Sequence, residues 1–556
     1  MRIFALAGLL AVSALALPDA ALAQTRPQLT IGISQFPPNL HPSIDPTVAK
    51  TYVHGVARRF LTHYSADWKI VCGLCTEVPS LQNGKAKIED RPGGGKGIAV
   101  TLTLKPGLKW ADGVPITTKD IAFSLEAGKR ADLGFNNPDL YDAMEKIDVV
   151  DASTFVIHFN KIRYDFDSLA DFTILPEHIE GPIYRALTDP KEYGRNTAFN
   201  RAPTTAGLYN GPYKITQVET GQFIRFERNE HWIGERPAFD RIIIRTIENT
   251  SALEQNLLSG DVDYVSGELG LSFDQALALQ KRAADKFNFV FESSLIYEHI
   301  DLNLDNPALA DRRVRQALLM AMDRETLVQK LFEGRQPVAH SWVHPKDAGY
   351  DPNVKKYPFN PAAARKLLDE AGFRPAAGGI RQNAAGLKLS FEFATTAGNK
   401  VRELVQQVLQ SQFKDVGVEV VIKNEPARSY FGQTLKERRY TGLAMYAWSS
   451  SPQNPPVVTL RSDNVPSQAN NFAGSNYPGF KNAEMDQLIN ATQAELDPAV
   501  RKGYWTRMQA IYTEEVPVLP LYFRADPFVI PKWLTGVKPT GNSVPSTFTI
   551  ENWRPQ

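Results

Sequence analysis

Residues 104–123 read LKPGLKWADGVPITTKDIAF, and this stretch carries two local signals that decide how the chain around it folds. Asp112-Gly113 is a strong turn dipeptide, because glycine supplies the positive φ that a tight reversal needs. Thr117 and Asp120 then stand three residues apart, just ahead of Ile121, Ala122, Phe123 and Leu125. A hydroxyl and an acid at this spacing form a capping box, which satisfies the free N–H groups of a helix start. The stretch therefore predicts a turn that feeds directly into a helix. Trp110 and Asp112 combine an aromatic with an acid, as binding sites do, but the turn and cap assign them to scaffold.

Outward from this block the chain mixes strands and helices. Residues 29–33, 99–104 and 154–159 alternate apolar and polar side chains, the period of a half-buried strand. Pro92 and Gly93-Gly94-Gly95 mark an exposed loop. It is not a phosphate-binding loop, because Lys96 is followed by Gly97 instead of Ser or Thr. Further on, Asp311 starts a helix with Val314, Ala317, Leu318 and Ala321 on one face. Asn360-Pro361 is an N-cap with proline at the first helical position, and Gly372 closes that helix. Residues 399–415 form an amphipathic helix ended by Gly417, which feeds a strand over 418–423. That helix–glycine–strand unit, with its partner after Gln382, predicts a second α/β lobe.

The ends and the composition bound the function. Arg2, an apolar run over 3–17 and Ala21-Leu22-Ala23 form a secretory signal peptide over residues 1–23, with cleavage before Gln24. The apolar run is too short for a membrane anchor, and no cysteine follows the site to carry a lipid. A soluble periplasmic protein is expected. Of 556 residues in all, the remainder exceeds the ~250–300 residues at which a single core stops growing, so two or three domains are expected. The net charge of +1 provides no broad field for nucleic acid or membrane. Cys72 and Cys75 are the only cysteines. Their C-x-x-C spacing also suits a redox site or half a zinc site. Zinc would need two further ligands, redox chemistry would want a helix start, and an oxidising compartment favours a structural disulfide.

Enzyme signatures are missing: neither G-x-S-x-G nor H-E-x-x-H occurs. His340 and His344 would share a helix face as metal ligands, but Gly334, Pro337 and Pro345 make their segment a loop. No metal and no cofactor is expected.

The chain resembles the family 5 extracellular solute-binding proteins of ABC importers. Ten blocks carry the resemblance in order: 36–46 (FPPNLHPSIDP), 104–123, 175–178 (LPEH), 210–213 (NGPY), 227–241 (ERNEHWIGERPAFDR), 256–265 (NLLSGDVDYV), 297–334 with its VRQALLMAMDRETLV, 361–373 (PAAARKLLDEAGF), 482–495 and 516–522 (VPVLPLY). The resemblance implies an α/β, two-lobe periplasmic binding protein (Venus flytrap, type II, cluster C) with an additional inserted domain. Lobe I would comprise 24–65, 205–298 and 516–556, the inserted domain 66–204, and lobe II 299–515. The chain would cross between lobes near 297–304 and 516–523, both apolar extended runs. A solute, peptide or peptide-like, would be captured between the lobes and delivered by a monomer to permease subunits with their ATPase. The alternatives are a non-peptide solute (an opine, an oligosaccharide or a metal chelate) and a periplasmic hydrolase.

In peptide-binding relatives a Trp followed closely by an Asp lines the cleft, and the Asp pairs with the ligand's α-ammonium group. Trp448 matches that Trp, but Ser451 stands at the Asp position and Asn454 where a second acid often sits. Trp448 and Tyr446 are expected as a stacking wall or side-chain pocket. Phe36, Asn39, Tyr297 and Asn303 are the other cleft candidates by resemblance.

Overall fold

The computed structural model describes residues 26–92 and 94–556; the expected signal peptide and its cleavage site lie outside them. Within the quoted stretch, Lys109 and Pro115 form a bridge around a turn at Gly113, whose φ is 91°. The helix Thr118–Gly128 begins on the full capping box of Thr117 and Asp120. Trp110 is completely buried, and its Nε1 donates to Asp120 Oδ1 at 3.3 Å. The same oxygen accepts the backbone N–H of Glu177 at 3.0 Å. Trp110 and Asp120 are thus consumed by scaffold, while Asp112 is exposed on the turn, where its Oδ1 accepts Val114 N–H at 3.1 Å and its Oδ2 lies 2.8 Å from His178 Nε2. Beside them lies a four-stranded antiparallel sheet in the order Ala86–Asp90, Lys96–Thr103, Thr154–Phe159, Met144–Val149.

A ten-stranded sheet runs through the whole molecule. One half holds Gln28–Ile33, parallel to both Arg241–Thr246 and Tyr264–Ser266. The other half holds Ser390–Ala394, parallel to both Glu419–Ile422 and Leu443–Trp448. Here the helix Lys400–Asp415, capped by Asn399, is the crossover between parallel strands, and Gly417 (φ 83°) provides the left-handed turn at its end. Two long antiparallel strands, Phe287–Leu302 and Val518–Pro531, join the halves. Their ladder is continuous from Phe287↔Pro531 to Ser293↔Ala525 and resumes at Tyr297↔Phe523. In between, three residues (294–296) face the single residue Arg524, and other partners replace the ladder. Leu295 N–H donates to Gly541 O at 3.2 Å, and Ser294 Oγ donates to Arg524 O at 3.1 Å. A second register shift lies at Glu298/His299, where the partner strand carries Pro520, which has no N–H to donate.

The cores divide the same way. One buried cluster joins Leu29, Ile31, Ile242 and Ile244 to Ile98, Phe155 and Trp110, so the four-stranded sheet shares its core with the first half of the large sheet. A separate cluster joins Ile300, Leu302, Phe391, Phe393, Leu409, Leu443, Leu519, Leu521 and Tyr522. The second long strand contributes Phe528 and Ile530 to the first cluster and Leu519 and Leu521 to the second. The halves also touch away from these strands. Tyr64 Oη donates to Pro452 O at 3.3 Å, Tyr164 N–H donates to Gln493 O at 3.0 Å, and the ring of Trp68 lies 4.7 Å from that of His344.

Cys72 and Cys75 are bonded to each other, with Cα atoms 5.2 Å apart. Cys72 ends the short strand Ile70–Cys72, and Cys75 is bridged to Leu104. The pair therefore pins a turn at the edge of the first core and lies at no helix start.

Candidate functional site

The site follows from the pleat of the first long strand. Side chains two apart on a strand share a face, so Tyr297, His299 and Asp301 point one way and Glu298, Ile300 and Leu302 the other. The partner strand sets Trp448 opposite Tyr297 and Tyr446 opposite His299. Tyr297, His299 and Asp301, with Trp448, Trp342, Tyr512, Leu460 and Pro456, line a cavity of about 710 Å³, its open mouth included. Leu295, Ser449 and Ser450 carry its wall into a neighbouring space of about 980 Å³, measured the same way. That second space is lined from the first half by Thr47, Thr51, Tyr52, Asp526, Phe528 and Asn542. The two form one cleft, lined from both halves of the molecule and meeting at the broken ladder.

The walls are held by internal bonds. The Tyr297 and Tyr512 hydroxyls are 2.8 Å apart, and burial raises both well above the ordinary phenol value. Trp448 stacks on Tyr477, with centroids 6.2 Å apart and planes 16° apart. The Tyr446 hydroxyl donates to Asp301 Oδ2. His299 Nδ1 is 3.1 Å from Tyr297 O. On the reverse face Glu298, 1% exposed, meets Arg402 Nη2 at 3.0 Å and Arg524 Nε at 2.8 Å. Burial pushes this carboxyl up, but the Arg524 and Arg402 guanidiniums outweigh it and hold it below its usual value.

The structure brings Trp448, Tyr297 and Asn454 to the cavity. Tyr446 lies behind the wall, 2% exposed, with its hydroxyl committed to Asp301. Ser451 is exposed on a turn, where its carbonyl accepts from Asn454 N–H at 3.2 Å, and it does not line the cavity. Asn303 is buried in a turn, donating to Tyr440 O and accepting Asp305 N–H at 3.0 Å. Asn39 ties its own loop, accepting from Lys50 Nζ at 3.0 Å and from His41 N–H at 3.2 Å. Phe36 packs on the first core. Asn303, Asn39 and Phe36 lie on neither wall of the cleft. His299 and Asp301 were missed by the sequence reading. Their signal was present, as polar residues two apart in a strand, but reading 297–304 as an apolar crossover passed over the Glu298, His299, Asp301 and Asn303 within it.

His340 and His344 do not share a helix face. His344 faces Ser293 Oγ and the ring of Phe523. Among the described residues no cluster of metal-ligating side chains occurs, and no helix is long and apolar enough to cross a membrane.

Two α/β halves joined by a strand pair, with a lined cleft between them, define a two-lobed solute-binding fold of the type II periplasmic class. A family profile described as bacterial extracellular solute-binding proteins, family 5, middle, matches residues 96–467. The oligopeptide-binding protein AppA of Bacillus subtilis is 26% identical over 519 residues, which are 91% of this chain and 87% of that protein. The solved structure of an oligopeptide-binding protein from Thermus thermophilus, complexed with a pentapeptide, is 33% identical; it aligns over 95% of this chain and 96% of that one, with TM-score 0.67. NikA from Brucella suis in complex with Fe(III)-EDTA shares the fold at 21% identity and TM-score 0.73, over 96% and 100% of the two chains. The chain belongs to family 5 of the bacterial extracellular solute-binding proteins.

Proposed function

We propose that this protein captures a peptide or peptide-like solute in the cleft between its lobes and hands it to the membrane permease of an ABC importer, whose ATPase drives uptake. The observation that carries this reading is the cleft itself, lined from both lobes and walled at its inner end by Tyr297, Trp342, Trp448 and Tyr512. The names of its relatives, oligopeptide-binding proteins among them, support peptide as the solute. Trp448, Tyr297 and Asn454 are the proposed ligand contacts. An extended ligand would bond through its main chain, and its side chains would enter the hydrated spaces on either side. The exported chain works in the periplasm. The lobes divide at the broken ladder, with the hinge at residues 294–296 and Arg524, and the domain of residues 66–204 is an insertion in lobe I.

The test is calorimetric titration of refolded, ligand-free protein with di- to nonapeptides, followed by chromatography of the recovered ligand. Saturable one-to-one binding with the peptide returned intact is expected. Cleaved peptide would make the protein a hydrolase, and tight binding of an oligosaccharide or opine with no peptide bound would overturn the peptide reading.

A further inference from the structure

We propose that the inner cavity holds a cationic group of the ligand, an ammonium or a guanidinium, against Asp301 and between aromatic walls. This rests on the peptide reading above and names the chemistry of one subsite.

The first reason is an acceptor left without a donor at the cavity floor. Asp301 lines the cavity and is 2% exposed. Its Oδ2 already accepts from Tyr446. Its Oδ1 has no hydrogen-bond donor among the described residues; His299 Nε2 lies 3.4 Å from it and makes no hydrogen bond. A ligand group rich in N–H donors would satisfy Oδ1.

The second reason is the composition of the walls. The cavity lining contains one carboxylate and no lysine or arginine. Its rings are Tyr297, Trp342, Trp448 and Tyr512, and aromatic faces attract cations through their quadrupole. The Tyr297 and Tyr512 hydroxyls are already paired with each other, so the unmet polar demand in the lining belongs to Asp301. A buried carboxylate is costly unless paired, and a ligand cation would supply the pairing. The exposed Ser451 offers no charge for this purpose.

Two sources fit: the side chain of a basic residue, or the peptide's own amino terminus. The probes are Ala-Lys-Ala and Ala-norleucine-Ala, each with a free and an acetylated amino terminus, titrated calorimetrically. Norleucine keeps the aliphatic chain and drops the charge. A charge-assisted bond in a desolvated site corresponds to roughly 10- to 100-fold in affinity. A lysine preference of that size that survives acetylation assigns the cavity to a basic side chain. A penalty of that size for acetylation, the same for both sequences, assigns it to the amino terminus. Asp301→Asn keeps an acceptor for Tyr446 and should bring either preference close to one. Equal affinities for all four peptides in the wild-type protein, or a preference that persists in Asp301→Asn, overturns the proposal. If no peptide binds at all, the peptide reading fails separately. The subsite is then judged by thermal denaturation with lysine amide and norleucine amide: a larger upward shift with lysine amide, lost in Asp301→Asn, supports it, and equal shifts overturn it.

Discussion

Tyr446 and His344 are both buried beside the cleft, and each has a measurable role. The Tyr446 hydroxyl is the one side-chain donor that Asp301 has among the described residues. Tyr446→Phe leaves that carboxylate buried without it, which should cost about 1–3 kcal/mol in denaturant unfolding and leave the secondary structure intact. His344 Nδ1 accepts the backbone N–H of Lys346 at 3.0 Å, so a proton on Nδ1 would set one donor against another. Burial, with the nearby Lys346 charge, lowers this histidine from 6.5 to about 3; burial first, then Arg324, lowers His340 to about 4. Between these values and 6.5 the unfolded chain binds protons that the folded chain does not. Stability therefore falls as pH drops below about 6.5, by up to ~1.4 kcal/mol per pH unit for each such histidine. The loss from His344 levels off below about pH 3. Urea unfolding between about pH 7 and 4 should show this slope, and His344→Gln should make it shallower by close to one proton.

The decisive element is the pair of long strands. Glu298 lies two residues beyond the broken ladder, and Arg524 is the residue that faces the break, so their ion pair with Arg402 braces the point where the lobes join. Removing one partner of a buried ion pair leaves the others uncompensated, at about 3–5 kcal/mol. Glu298→Gln should lower stability by at least ~3 kcal/mol at neutral pH, measured by denaturant unfolding. The carboxyl is held below its unfolded value, so its stabilisation is present above about pH 4.5 and is lost as pH falls through the folded value. The gap between wild type and Glu298→Gln should therefore narrow on acidification; a constant gap down to about pH 3 would mean that the charge of Glu298 is not what braces the hinge.

Over the whole molecule, two separate cores joined by two strands make rotation about residues 294–296 and Arg524 the soft motion expected of the proposed lobes. The contacts of Tyr64 with Pro452, Tyr164 with Gln493 and Trp68 with His344 bridge the lobes across the cleft and must break on opening. A ligand touching both walls shifts the open–closed balance by its differential affinity for the closed form. Small-angle scattering should record a smaller radius of gyration with saturating ligand, while far-ultraviolet circular dichroism stays unchanged. An unchanged radius would count against the two-lobe mechanism.

The capping box at Thr117 and Asp120, the caps at Asp311, Asn360 and Asn399, the turn glycines 113, 372 and 417 and the paired cysteines were all legible in the sequence. Each is satisfied by residues only a few positions away, so spacing alone determines it. The second α/β lobe was legible for the same reason, because a helix, a glycine and a strand follow one another along the chain. The cavity was not. Trp448 meets Tyr297 only through pairing of strands about 150 residues apart in sequence, and the broken ladder that opens the cleft is a property of two strands together. Whether a polar residue lines a space or ties a loop depends on such pairings: Asn303 and Asn39 resemble ligand contacts in the sequence and are spent on backbone groups, while His299 and Asp301, in a strand that alternates polar and apolar residues, line the cavity. Local hydrogen bonding is set by spacing along the chain, whereas the face a strand residue presents, and what stands opposite it, is set by register, which tertiary packing alone decides.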